Sequence, residues 1–179
     1  LDVTAASLAL LFLAPLMILV AIALKIEGGS VLYKQERIGR GGALFHMWKF
    51  RSMHPNSDKL LQNYLETFPK AKAEWEAYQK LRNDPRITRI GSWLRKTSID
   101  ELPQLFNVLL GDMSMVGQRP ILPNQTDTYG PHLAGYLRAR PGITGLWQIS
   151  GRSALTFEDR ARIGSKYVNE WSLIGDLKI

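Results

Sequence analysis

Asp100 and Glu101 are adjacent carboxylates in the run RKTSIDELPQLFNVLLGDMSMVGQRP, which covers residues 95–120. Arg95 and Lys96 lie just before the pair, and Arg119 follows in the turn Gly117-Gln118-Arg119-Pro120. A carboxylate set among arginines stays ionised near neutrality, and the same surroundings hold a phosphate. Such a carboxylate can attack phosphorus or coordinate Mg²⁺, which takes oxygen ligands together with phosphate oxygens. A second reading is purely structural. Ser98-x-x-Glu101 matches a capping box, and Asp is a good N-cap. On the residues alone both readings stand. No Walker-type glycine-rich loop is present, so the chain is not a P-loop nucleotide enzyme. His46, His54 and His132 are isolated and lack ligand spacing, and the absence of cysteine excludes disulfides, zinc–thiolate sites and cysteine nucleophiles.

The pair needs an element to hold it. The pattern predicts a helix from Ser98 to Leu110, with Leu102, Leu105, Phe106 and Leu109 on one face. Proline is tolerated only in a first helical turn, so Pro103 places the N-cap near Ile99 or Asp100. The two carboxylates then sit at the helix entrance, where the dipole favours anions. Upstream, Val31-Leu32-Tyr33 and residues 44–50 read as a small β-hairpin around the turn Gly39-Arg40-Gly41-Gly42. Residues 57–82 read as helical, split at Pro69 and closed by Asp84-Pro85. Trp75, Trp93 and Trp171 are read as core or interfacial anchors.

Residues Ala5 to Leu24 carry no charge, and 20 residues is the length of a helix that crosses a bilayer core. No basic residue precedes the run and no small-residue cleavage site follows it, which argues against a signal peptide. Pro15 stands at its middle, where a kink is expected. That leaves crossing and dipping in and out equally open. Lys25, Lys34, Arg37, Arg40, Lys49 and Arg51 follow, which puts that side at the cytoplasm. A net charge of +7 on 179 residues asks for an acidic partner such as phosphate-bearing substrates or anionic lipid. Residues 1–26 are thus read as a membrane segment and 27–179 as one further domain. The first residue is not Met and the chain stops abruptly at Ile179, as expected of a piece of a longer protein.

Four blocks together resemble the bacterial sugar transferase family, the monotopic polyprenyl-phosphate sugar-1-phosphate transferases. They are the apolar segment with Pro15, YKQERIGRGGALFHMWKFRSM at 33–53, TRIGSWLRKTSIDELPQLFNVLLGDMSMVGQRP at 88–120, and RPGITGLWQISGR at 140–152. The closing YVNEWSLIGDLKI resembles the family's C-terminal block.

The resemblance implies an α+β, predominantly helical fold. It would have a re-entrant membrane helix broken at Pro15, a small β-hairpin and amphipathic interfacial helices around an active site on the cytoplasmic face of the bacterial inner membrane. It implies transfer of a sugar-1-phosphate from a UDP-sugar, galactose or glucose foremost, to undecaprenyl phosphate, initiating exopolysaccharide, capsule or O-antigen assembly. Asp100 would be the nucleophile of a covalent phosphosugar intermediate with release of UMP, and Mg²⁺ would lie at Asp100 and Glu101. Phosphate-binding roles map onto Arg95, Arg119, Lys49 and Arg51. Two positions depart from the family pattern: Gln118 stands where Pro is common, and Gly164 where the stretch usually ends in Asp. Two other classes compete. A membrane-tethered module binding anionic lipid or nucleic acid gives the Asp-Glu pair no role, and no nucleic-acid motif supports it. A metal-dependent hydrolase of lipid diphosphates needs further carboxylate or histidine ligands.

Overall fold

Residues Asp2–Ile26 form one helix, α1, in the computed structural model, which describes residues 1–78, 81–151 and 156–179. At 1.5 Å per residue, 25 residues measure about 38 Å, enough to match a bilayer core of roughly 30 Å. Only 11% of its most apolar window is buried, and Leu8, Leu11, Phe12, Ile18, Leu19 and Ile22 are exposed. A helix that is apolar on every side and mostly uncovered by protein is built for lipid. Pro15 lies inside it, and helix continues on both sides of the proline.

The chain forms two compact units, one of residues 1–16, 34–49 and 103–179, the other of residues 17–33 and 50–102. Strands β1 (Leu32–Ile38) and β2 (Leu44–Phe50) form the expected hairpin, and β1 runs farther than its short apolar start suggests. The remaining elements are mostly helical.

In the first unit, helix α5 (Gln104–Leu110) packs Leu105 and Val108 against Phe45 and Met47 of β2, Met113 and Ala6 of α1. Asn107, fully buried, ties these parts together by its side chain. Its Oδ1 accepts from the Trp48 amide at 3.0 Å, and its Nδ2 donates to the His46 carbonyl at 2.8 Å and to Asp112 at 3.2 Å. Strand β3 (Ser114–Val116) pairs in parallel with β4 (Gly142–Thr144), Ser114 opposite Gly142 and Val116 opposite Thr144. The start of α1 is fastened to β3, because the Asp2 carboxylate accepts from Ser114 Oγ at 2.8 Å and from the Met115 amide at 3.2 Å. A second core gathers Ile38, Ile121 and Ala161 with Tyr129 of α6 (Thr126–Tyr129) and Tyr136 of α7 (Leu133–Leu137). Ala161 comes from α9 (Phe157–Asn169), which follows the short α8 (Leu146–Ile149). Helix α10 (Leu173–Leu177) ends the chain, and its Asp176 accepts hydrogen bonds from Tyr167 and Trp171.

In the second unit, α2 (Ser57–Thr67) and α3 (Pro69–Tyr78) divide at Pro69, which opens α3 as the first-turn tolerance of proline requires. Of the expected continuation to residue 82, residues 79–80 lie outside the described residues, and Leu81 and Arg82 are not helical. Arg86 grips Asp84 through Nε at 2.8 Å and Nη2 at 2.6 Å, while its guanidinium covers Trp75 at 4.9 Å. The half-buried Trp75 therefore acts as a packing anchor. Helix α4 (Arg89–Thr97) starts at Thr88, whose hydroxyl accepts from the Gly91 amide at 2.9 Å. Gly91 lies so close to the Ser52 backbone that an added Cβ would stand 2.0 Å from its carbonyl oxygen, so only glycine lets α4 approach here.

Candidate active site

The Asp-Glu pair does not sit on the helix that the pattern predicts. Helix α4 ends at Ser98, which adopts the left-handed conformation at φ 59°, the one positive φ outside glycine among the described residues. A separate 3₁₀ turn, Ile99–Glu101, then carries the pair, and α5 starts only at Gln104 with Pro103 as its cap residue. Ser98 makes no side-chain cap bond to this turn, so the capping box suggested by Ser98 and Glu101 is not formed. The cap position of α5 is Pro103, three residues after Asp100. Asp100 is 8% exposed, whereas Glu101 is half-buried. A left-handed residue that is not glycine, next to a buried carboxylate, is the kind of local strain found at functional sites.

Arg95 is on the last turn of α4, exposed, and donates from Nε to Ser52 Oγ at 2.8 Å. The Gly91 contact and this bond fix α4 on the segment after β2. Arg51 is placed differently. It is buried, with Nη2 donating to the Leu24 carbonyl at 3.1 Å and paired with Glu27 at 3.2 Å, and with Nη1 bound to the Gly28 carbonyl. Its partners lie at the C-terminal end of α1 and just beyond it. Lys49 is half-buried near the end of β2.

Arg119 belongs to the other unit, in a loop pinned on both sides. The Gly117 amide donates to Thr144 at 2.9 Å, and the Gln118 carbonyl accepts from Gly142 at 2.8 Å. Ile38 bridges Ile121, and the Tyr136 hydroxyl donates to the Ile38 carbonyl while accepting from the Ile121 amide at 3.3 Å. A cavity of about 230 Å³ opens beside this loop, lined by Arg37, Gln118, Arg119, Tyr129, Trp147 and Arg160 among others. Arg37 holds the loop by donating to the Pro120 carbonyl at 2.9 Å. Trp147 has the guanidinium of Arg119 at 5.0 Å from its ring centre and that of Arg160 at 5.4 Å. Among the described residues no acidic side chain lines the cavity, so it suits an anion. Burial pushes the Tyr129 hydroxyl up to about 12 against the pull of Arg119 and Arg160, and it stays a neutral donor at physiological pH.

Sequence patterns alone missed Arg37, Tyr129, Trp147 and Arg160 as members of one cavity. They lie in separate stretches of the chain with no spacing to link them. Arg152, which closes the fourth motif block, lies outside the described residues. For a metal, Asp100 and Glu101 offer consecutive carboxylates. That donor set fits Mg²⁺, which is commonly held by one or two carboxylates plus substrate phosphates. No group of three or more His, Cys, Asp or Glu side chains arranged for a metal occurs among the described residues, so the richer ligand set of a metallohydrolase is not formed by them.

Residues 1–179 match the family model of the bacterial sugar transferases. An uncharacterized sugar transferase of Haemophilus influenzae is 49% identical over 99% of this chain, which covers 38% of that protein. The exopolysaccharide production protein ExoY of Rhizobium meliloti is 47% identical over 99% of the chain and 79% of its own length. The undecaprenyl-phosphate galactose phosphotransferase of Salmonella typhimurium is 47% identical over 99% of the chain and 37% of its own length. The chain thus spans a little over a third of two of these relatives and most of the third. With the motif blocks and the whole-chain match in agreement, the chain belongs to the bacterial sugar transferase family.

Proposed function

We propose that the chain is a phosphoglycosyl transferase that moves a sugar-1-phosphate from a UDP-sugar to undecaprenyl phosphate. The observation that carries this reading is Asp100: a buried carboxylate in a turn of its own between α4 and α5, in a family whose named relatives act on these substrates. The galactose phosphotransferase of Salmonella typhimurium and the UDP-glucose:undecaprenyl-phosphate glucose-1-phosphate transferase of Escherichia coli, 37% identical, point to UDP-galactose or UDP-glucose as donor.

In the proposed reaction an Asp100 oxygen attacks the phosphorus that bears the sugar. The bond from that phosphorus to the oxygen of UMP breaks, and UMP leaves with its electron pair. A phosphate oxygen of the lipid then attacks the same phosphorus and displaces the Asp100 carboxylate, giving the lipid-diphosphate sugar that starts exopolysaccharide, capsule or O-antigen assembly. Positioning and charge neutralisation are what phosphoryl transfer asks of a protein. Arg95, in the same unit as Asp100, supplies positive charge, and the phosphate-binding roles of Arg119 and Lys49 rest on the sequence motifs that carry them. Arg51 serves by holding the end of α1, since its partners already engage it. Mg²⁺, held by Asp100 and Glu101, would neutralise the phosphates when bound.

Residues 1–26 would be the membrane-embedded part and 27–179 the catalytic part, at the cytoplasmic face of the inner membrane. A re-entrant path turning near Pro15 belongs to this reading, and the proline inside α1 is what supports it.

Kinetics test the two-step scheme. Varying UDP-sugar against undecaprenyl phosphate should give parallel double-reciprocal lines, the signature of a covalent ping-pong path. Intersecting lines would point to direct attack by the lipid on the donor.

A further inference from the structure

Gln118 is 4% exposed, lines the arginine cavity, and neither of its amide atoms has a hydrogen-bond partner among the described residues. A buried amide left in this state is costly, so it marks a place where a ligand completes the bonding. Its backbone is fixed by the pairing with Pro141 and Gly142, so the side chain is aimed by the fold. Room for that side chain exists because residue 164 is glycine. A Cβ there would lie 2.3 Å from Gln118 Oε1 and 2.9 Å from Cδ. Gln118 and Gly164 are therefore neighbours, and the amide occupies the space that any side chain on residue 164 would take.

We propose that Gln118, given room by Gly164, is a specificity-determining residue that hydrogen-bonds a hydroxyl of the hexose in the nucleotide sugar. The identity of the ligand rests on the UDP-sugar reading above. The place of the site rests on the cavity itself. An amide offers a donor and an acceptor side by side, the pairing that a sugar hydroxyl uses. A nucleobase suits the cavity less well, because it needs an open aromatic face. Trp147 already carries Arg119 and Arg160, and Tyr129 is packed edge-on against Tyr136 and Phe157 at 5.3 Å each. At about 230 Å³ the cavity is smaller than the roughly 300–1,000 Å³ of sites that enclose a whole drug-sized ligand, so it takes one part of the substrate.

Equilibrium binding of UDP-glucose, UDP-galactose and UMP to the full chain tests this, with Asp100→Asn as the parent so that no donor is consumed. The parent should bind one of the two UDP-hexoses more tightly than UMP. Adding Gln118→Leu should weaken that UDP-hexose about tenfold, the worth of a lost buried hydrogen bond, and narrow the preference between the two epimers. UMP affinity should stay within about twofold of the parent on the same scale. Gly164→Ala should act in the same direction without removing any polar group, since its methyl displaces only the end of a flexible side chain. Unchanged UDP-hexose binding in both variants would overturn the assignment. An equal loss for UMP would also overturn it, moving the amide to the nucleotide. A parent that binds neither UDP-hexose would instead sink the UDP-sugar reading, and with it this site's ligand.

Discussion

Arg51 and Glu27 form an ion pair at 3.2 Å in which the arginine is buried and Glu27 is exposed. The same guanidinium reaches the carbonyls of Leu24 and Gly28, so a residue in a motif expected to bind phosphate closes the end of the membrane helix. Removing it leaves those carbonyls without their donor, which costs about 1–3 kcal/mol. Arg51→Ala should therefore lower thermal stability sharply. Arg51→Lys should recover only part of it, because lysine lacks the fork that serves several acceptors at once. Thermal melts of the detergent-solubilised chain check both, and a melt unchanged by Arg51→Ala would contradict the anchoring role.

Asp84 links stability to pH. Burial acts to raise its carboxyl, but the hydrogen bonds from the Arg86 side chain and backbone, with the charges of Arg86 and Arg95, outweigh burial and hold it below the usual carboxylate range. A folded value that lies below the unfolded one contributes stability that is present above the unfolded value. That stability is lost as pH falls through the folded one. Asp84→Asn should thus melt lower than wild type at pH 7, and the gap should shrink as pH drops below about 4. A gap that is constant with pH would show that the Arg86 contact works by shape alone.

The outer face of α1 predicts a membrane phenotype. Leu11 and Phe12 are 76% and 84% exposed, so changing them disturbs little packing. A carboxylate near a bilayer centre costs about 2.5–3.5 kcal/mol on insertion scales. Leu11→Asp with Phe12→Asp should shift the chain from the membrane pellet toward the supernatant in flotation experiments. A charge added on the exposed face of α9, such as Arg162→Glu, should leave partition unchanged.

Much of this fold was legible where a single residue type has a hard steric rule. Pro69 divides α2 from α3, the glycine-rich turn closes the hairpin, and the uncharged run from Ala5 to Leu24 forms one lipid-suited helix. The start of α5 was misplaced because Pro103 limits where the helix begins without saying what precedes it. Ser98 turns left-handed and puts the Asp-Glu pair in a turn of its own. The parallel β3–β4 pair could not be read, because three-residue strands carry no measurable alternation and pair across 25 residues of other structure. The arginine cavity was hidden for the same reason: Arg37, Arg119, Trp147 and Arg160 meet only through long-range packing.

Asp100→Asn separates chemistry from folding. Asn matches Asp in size and local turn preference, so the variant should still fold, which its circular dichroism spectrum checks. Turnover should vanish, because an amide cannot serve as the nucleophile. Glu101→Gln should reduce turnover while leaving the nucleophile in place.

The most direct measurement is the mass of the protein after incubation with UDP-galactose or UDP-glucose and Mg²⁺ in the absence of lipid. The account predicts a hexose-phosphate adduct that maps to the peptide containing Asp100, forms together with UMP, is discharged by undecaprenyl phosphate and is absent from Asp100→Asn. An active enzyme that forms no adduct, or an adduct that persists in Asp100→Asn, would contradict it.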